Sequence, residues 1–152
     1  MKKFISWTAV ILWMGLIFYL SSQLATESSK LSRGVTDVLL ESVEKIAPDS
    51  KLHISDYNHI VRKNAHFFVY LVLGVLVINA LDRRKKRSML LAIGICILYA
   101  ISDEFHQLFV PGRGAQVKDV FIDSAGACIG IVVYNLISRR IEGQGPRSSY
   151  YN

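Results

Sequence analysis

The chain has 152 residues, a length that suits one domain, with 51% hydrophobic and 20% charged residues, a mean hydropathy of +0.32 and a formal net charge of +6. That mixture excludes a disordered chain, a collagen-like repeat and a disulfide scaffold. It also argues against an ordinary water-soluble globule, because the apolar residues fall in long blocks with the charges between them.

A helix needs about 20 mostly apolar residues to cross a hydrocarbon core. The first such block, residues 4–22, carries no charge. Met1-Lys2-Lys3 precedes it as in a signal peptide, but the apolar stretch is long for a signal and no A-x-A site follows. A membrane span is therefore expected there. Residues 23–64 follow as a long connection. Within it, Leu31, Val35, Val38, Leu39, Val43 and Ile46 recur at helical spacing, with Lys30, Arg33, Asp37, Glu41, Glu44 and Lys45 on other faces. This pattern predicts a short amphipathic helix lying on the outer surface or capping the bundle, ended by Pro48. Ser55 is the expected N-cap of a helix that runs into the second block, residues 65–81, which has no formal charge and one His.

The run Arg83–Arg87 comes next. No aromatic residue interleaves it, so it reads as a topology anchor near anionic lipid and not as a nucleic-acid patch. The third block, residues 89–109, is apolar as far as Ser102 and then turns polar; the fourth, residues 120–138, holds one acid, Asp123. Cys96 and Cys128 lie within these two spans, each about 10–12 Å by helical rise below the outer end, and read as small packing residues and not as a disulfide. The tail 141–152, with Gly143, Gly145 and Pro146, reads as a short disordered cytoplasmic segment after a membrane domain over 1–140. The fold class is thus an all-α integral membrane protein: a four-span helical bundle with an outer-surface amphipathic helix. Basic residues favour the cytoplasmic side. With the N-terminus inside, the inner segments hold ten Lys or Arg in 24 residues and the outer segments eight in 52. Both termini are therefore expected to be cytoplasmic.

Helical phase, about 100° per residue, then places the polar residues. The first span aligns Thr8, Gly15 and Ser22. The second aligns His59, Lys63, His66, Tyr70 and Gly74, with Arg62 at the flank. The third gathers Ala92, Cys96, Tyr99, Asp103, His106 and Gln107, with Glu104 at the edge. The fourth aligns Asp119, Asp123, Gly126 and Gly130. By topology the polar ends of these stripes share the outer side of the membrane. Charge inside a span is costly and normally faces the bundle interior, where it often marks function. Three roles suit the cluster. As an ion-pair network, Asp103, Glu104, Asp119 and Asp123 would pair with Arg62, Lys63, Arg113 and Lys118, and the Gly126-x-x-x-Gly130 motif would bring helices close. As an enzyme, Asp103 and His66 would form an acid–base pair. As a receptor, Arg62, Lys63, Arg113 and Lys118 would hold a lipid-linked phosphate or wall precursor while the acids contact sugar hydroxyls. No nucleophile motif or phosphate loop is present in the sequence, and no cofactor is expected; a metal on Asp103, His106 and His66 is only weakly signalled.

Several of these segments resemble one family. Phe18-Tyr19-Leu20-Ser21-Ser22-Gln23, Arg62-Lys63-Asn64-Ala65-His66-Phe67-Phe68-Val69-Tyr70, Asp103-Glu104-Phe105-His106-Gln107 and Phe109-Val110-Pro111-Gly112-Arg113, followed by Asp119 and Gly126, are similar to the signatures of VanZ-like membrane proteins. The resemblance implies a multi-pass protein of the bacterial plasma membrane, part of the cell envelope, in a family associated with tolerance to the glycopeptide teicoplanin. By matching position it implies functional roles for Lys63, His66, Tyr70, Asp103, Glu104, Gln107, Arg113 and Asp119. Val69 stands where many members have an acid, and Asp123 where an Asn is frequent. Taken together, the expected binding set is Arg62, Lys63, His66, Tyr70, Glu104, His106, Gln107, Arg113, Asp119 and Asp123, with the bilayer and an anionic or glycan-bearing lipid as partners. The alternatives are a membrane enzyme acting on such a lipid through Asp103 and His66, or a packing subunit of another envelope protein.

Overall fold

The computed structural model describes residues 1–22, 54–81, 86–111 and 114–143, with side chains for all of these except 2, 54–62 and 142–143. The expected amphipathic helix, the Arg113 side chain and the tail from 144 onward lie outside the described residues. The described chain forms four helices: α1 Lys2–Ser21, α2 Ile54–Ala80, α3 Lys86–Gln107 and α4 Val117–Gly143. All four are long and apolar enough to cross a membrane.

Each helix begins before its apolar block, most of all α2, which begins far upstream of Ala65. It starts one residue before Ser55, so Ser55 stands inside the first turn and is not the N-cap. At the end of α3 the chain tightens, with Leu108, Phe109 and Val110 N–H groups each bonding the carbonyl three residues back before Pro111 breaks the run.

The helices put polarity inside and apolar bulk outside. On α4 Phe121 is 71% exposed while Asp123, two residues on, is 0% exposed. Such an outward apolar face is what lipid requires. The interior holds Val10 and Ile17 of α1, Tyr70, Leu73 and Val77 of α2, Ala92, Cys96 and Ala100 of α3, and Ala127 and Ile131 of α4.

The tightest seam lies between α2 and α4, which run in the same direction. An ideal Cβ on Gly126 would stand 2.3 Å from the Phe67 carbonyl oxygen, one on Gly130 2.1 Å from that of Leu71, and one on Gly74 2.3 Å from that of Ala127. The expected Gly126-x-x-x-Gly130 contact is thus realised, and Gly74 answers it from the other helix. Polar links also fasten helix α1. Trp13 Nε1 donates to the Val69 carbonyl at 3.0 Å, and the Tyr99 hydroxyl donates to the carbonyl of Met14.

The expected interior stripe of α1 is corrected. Thr8 and Gly15 are exposed, and Val10, Ile17 and Ser21 face the bundle instead. Thr8 satisfies its hydroxyl on the Phe4 carbonyl of its own helix at 3.0 Å, and Ser22 does the same with Tyr19 at 2.8 Å. A small hydroxyl that bonds its own backbone carries no information about which face is buried.

Candidate functional site

The C-termini of α1 and α3 and the N-termini of α2 and α4 lie at one end of the bundle. The polar ends of the stripes meet there. Helical periodicity delivers each side chain. Lys63, His66 and Tyr70 follow one another a turn apart on α2, Asp103 and Gln107 do so on α3, and Asp119 and Asp123 on α4.

Two pairs join α2 to α4. Lys63 Nζ lies 3.8 Å from Asp119 Oδ1, and His66 Nδ1 lies 3.5 Å from Asp123 Oδ1. The first is an ion pair; the second is one when the imidazole carries both protons. Asp103 completes the inner group: one ligand atom from each of His66, Asp103 and Asp123 lies within 4.8 Å of the others. Asp103 is 2% exposed and Asp123 0% exposed, while His66 is half-buried, so the group opens past the imidazole. Ser21 of α1 stands within hydrogen-bonding reach of Asp103.

Glu104 performs a different task. Its Oε2 accepts the Gln116 N–H at 2.8 Å, immediately before α4 begins at Val117. A carboxylate at that point satisfies an unpaired helix donor and opposes the positive end of the helix dipole. It thereby fixes where α4, with Asp119 and Asp123, starts relative to α3.

Buried polar atoms collect around this core. Among the described residues, Tyr70 Oη, Glu104 Oε1 and Gln107 Nε2 have no hydrogen-bond partner. In a folded interior nearly all such groups are bonded, so a concentration of exceptions is informative. His106 stands apart. It stacks on Phe18, with ring centroids 4.3 Å apart, and does not join the His66, Asp103 and Asp123 group. The metal set weighed from sequence, Asp103, His106 and His66, is therefore replaced by one in which Asp123 takes the place of His106. Two residues apart on a helix, Glu104 and His106 diverge, and His106 turns toward α1.

Among the sequence-derived binding residues, Lys63, His66, Tyr70, Glu104, Gln107, Asp119 and Asp123 all point into this end of the bundle with Asp103. The Arg62 and Arg113 side chains lie outside the described residues. Ser21 is the site neighbour that sequence reasoning missed. The signal was its place in the Ser21-Ser22 pair, where phase alone selected the wrong serine.

A family model described as VanZ/LLP1 matches residues 6–138, which contains every residue of this cluster. The chain belongs to the VanZ/LLP1 family. No curated protein and no solved structure matches it. Family membership and four span-length helices together make this a multi-pass membrane protein. The VanZ/LLP1 match reaches from the α1 helix to Ser138 near the end of α4, so it covers parts of all four helices and the polar end between them.

Proposed function

We propose that this VanZ/LLP1 protein sits in the bacterial plasma membrane with both termini inside. Its polar end faces outward and engages an anionic or glycan-bearing envelope lipid, reducing the action of glycopeptides such as teicoplanin at the wall. The supporting observation is the set of buried polar atoms on α2 and α3 left unbonded among the described residues, Tyr70 Oη, Glu104 Oε1 and Gln107 Nε2, below a partly exposed Lys63 ammonium. Carboxylate and amide groups suit the hydroxyls of a glycan, and a lysine suits a phosphate. Orientation rests on the excess of Lys and Arg in the segments assigned to the cytoplasm.

A second reading is an acid–base enzyme acting on the same class of lipid. It is favoured by the 3.5 Å His66–Asp123 pair with Asp103 beside it. Here His66 would move a proton and the two carboxylates would orient it.

The test is binding of a polyprenyl diphosphate carrying a disaccharide to the full chain in nanodiscs. Wild type is expected to bind it, and Lys63→Ala and Gln107→Ala to bind several-fold more weakly. Equal binding of the bare polyprenol, or unchanged affinity in both variants, overturns the receptor reading. Loss of the phosphate or a sugar during incubation would favour the enzyme.

A further inference from the structure

We propose that His66, Asp103 and Asp123 form a binding site for one divalent transition-metal cation of the Zn2+ or Mn2+ class. The three side chains come from α2, α3 and α4, and their ligand atoms lie within 4.8 Å of one another. His66 Nδ1 and Asp123 Oδ1 are 3.5 Å apart. Two ligands bound at about 2.1 Å to a tetrahedral ion stand about 3.4 Å apart. A direct N–H···O bond would instead close to about 2.9 Å. The spacing is the one that two groups sharing an ion would have, and it is long for a direct bond.

Unbonded groups give a second, independent indication. Asp123 is 0% exposed, and among the described residues its carboxylate has the His66 imidazole, at 3.5 Å, and no nearer hydrogen-bond partner. The Tyr70 hydroxyl, one turn beyond His66 and also 0% exposed, has no hydrogen-bond partner among the described residues and lies in electrostatic range of Asp103 and Asp123. Charge balance points the same way. Among the described residues the Lys63 ammonium is engaged with Asp119, and inside the spans Asp103 and Asp123 flank the His66 imidazole, with His106 in electrostatic range of Asp103. A dication supplies the missing positive charge where burial makes charge imbalance most costly. The imidazole nitrogen selects a transition ion over Mg2+ or Ca2+. Ser21, beside Asp103, supplies the outer support that orients a ligating carboxylate. If the polar end receives a phosphate-bearing lipid, as proposed above, the same ion presents positive charge to the phosphate. The cation site itself stands without that reading.

The experiment uses the full chain in detergent, stripped with EDTA and titrated with Mn2+ in the absence of lipid, with the unbound ion followed by EPR. One Mn2+ per chain is expected, displaced by Zn2+, and pulsed EPR of the loaded wild type should show coupling to one 14N nucleus. Asp123→Asn should weaken binding by about tenfold or more, the loss that even an outer partner of a ligand causes. Cys128→Ser should leave the affinity unchanged, which excludes that thiol as a ligand. No bound Mn2+ or Zn2+ in the folded wild type, or bound Mn2+ without nitrogen coupling, overturns the site. Both wild-type readouts stand if Asp123→Asn fails to fold. Lipid binding to nanodiscs that persists after EDTA, together with a metal-free wild type, would sink the cation site while leaving the lipid reading intact.

Discussion

Replacing Gly130 with alanine perturbs the seam on which the site depends. The added Cβ would stand 2.1 Å from the Leu71 carbonyl oxygen, 3.0 Å from its carbon and 3.2 Å from its Cα. These are backbone atoms, so no side-chain rotation relieves the clash. A close carbon–oxygen contact across a helix interface is about 3.3 Å, so α2 and α4 must part by about 1 Å at this level. Overpacking of this kind costs about 1–3 kcal/mol. The intrinsic gain of alanine over glycine in a helix, up to about 1 kcal/mol, offsets part of it. A net loss of about 1–2 kcal/mol is expected, and a larger loss for Gly130→Val. Gly94→Ala is the control, because nothing lies within 4 Å of its added Cβ; it should be neutral or stabilising. Reversible unfolding in mixed detergent–SDS micelles, followed by tryptophan fluorescence, measures both. Equal stability of Gly130→Ala and wild type would refute the backbone-contact account of the seam, as would an equal loss in Gly94→Ala.

Two further predictions concern the links at the polar end. The Lys63–Asp119 pair is 3.8 Å long with side chains 27% and 10% exposed, so its coupling is expected to be at most about 1 kcal/mol. Lys63→Asp and Asp119→Lys should each lose stability in the same assay, and the double reversal should recover most of it; simple additivity would remove the pair as a fastener of α2 to α4. Glu104→Gln weakens the bond from the Gln116 N–H, now 2.8 Å to a carboxylate, by about 1 kcal/mol. Faster hydrogen exchange confined to the start of α4 is the expected signature, and unchanged exchange there would show that Glu104 does not hold this helix end.

Much of the architecture was legible because a membrane span announces itself by length and apolarity alone. The four blocks became α1 to α4, with ends extended where polar residues continue the helical turn. The stripes on the second, third and fourth spans were legible for a different reason. Their polar residues are expensive in lipid, so the phase of Lys63, His66 and Tyr70, of Asp103 and Gln107, and of Asp119 and Asp123 reports the inward face directly. The first span carries no such residue. Thr8 satisfies itself locally and Gly15 costs nothing in the open, so their phase misled. Pairing across helices was harder to read. Asp103 and Asp123 both sit within reach of His66, but the closer partner, Asp123 at 3.5 Å, follows from the axial register of α2 on α4. That register is set by backbone contacts at Gly126, Gly130 and Gly74, which side-chain chemistry does not reveal. The role of Glu104 as a holder of the next helix was hidden similarly, because it depends on where Gln116, just before α4, lies beside α3.

If the buried polar end of this bundle alters how the envelope meets glycopeptides, as proposed, cells carrying the protein bind less of the drug. Fluorescent teicoplanin bound per cell tests it most directly, in an empty host and in hosts carrying wild type or Asp103→Asn at matched membrane levels. The account predicts reduced binding with wild type and recovery toward the empty host with Asp103→Asn, whose carboxylate lies within 4.8 Å of His66 and Asp123. Binding equal to that of the empty host in all three would contradict the envelope role. Equal reduction by wild type and variant would contradict the assignment of that role to this cluster.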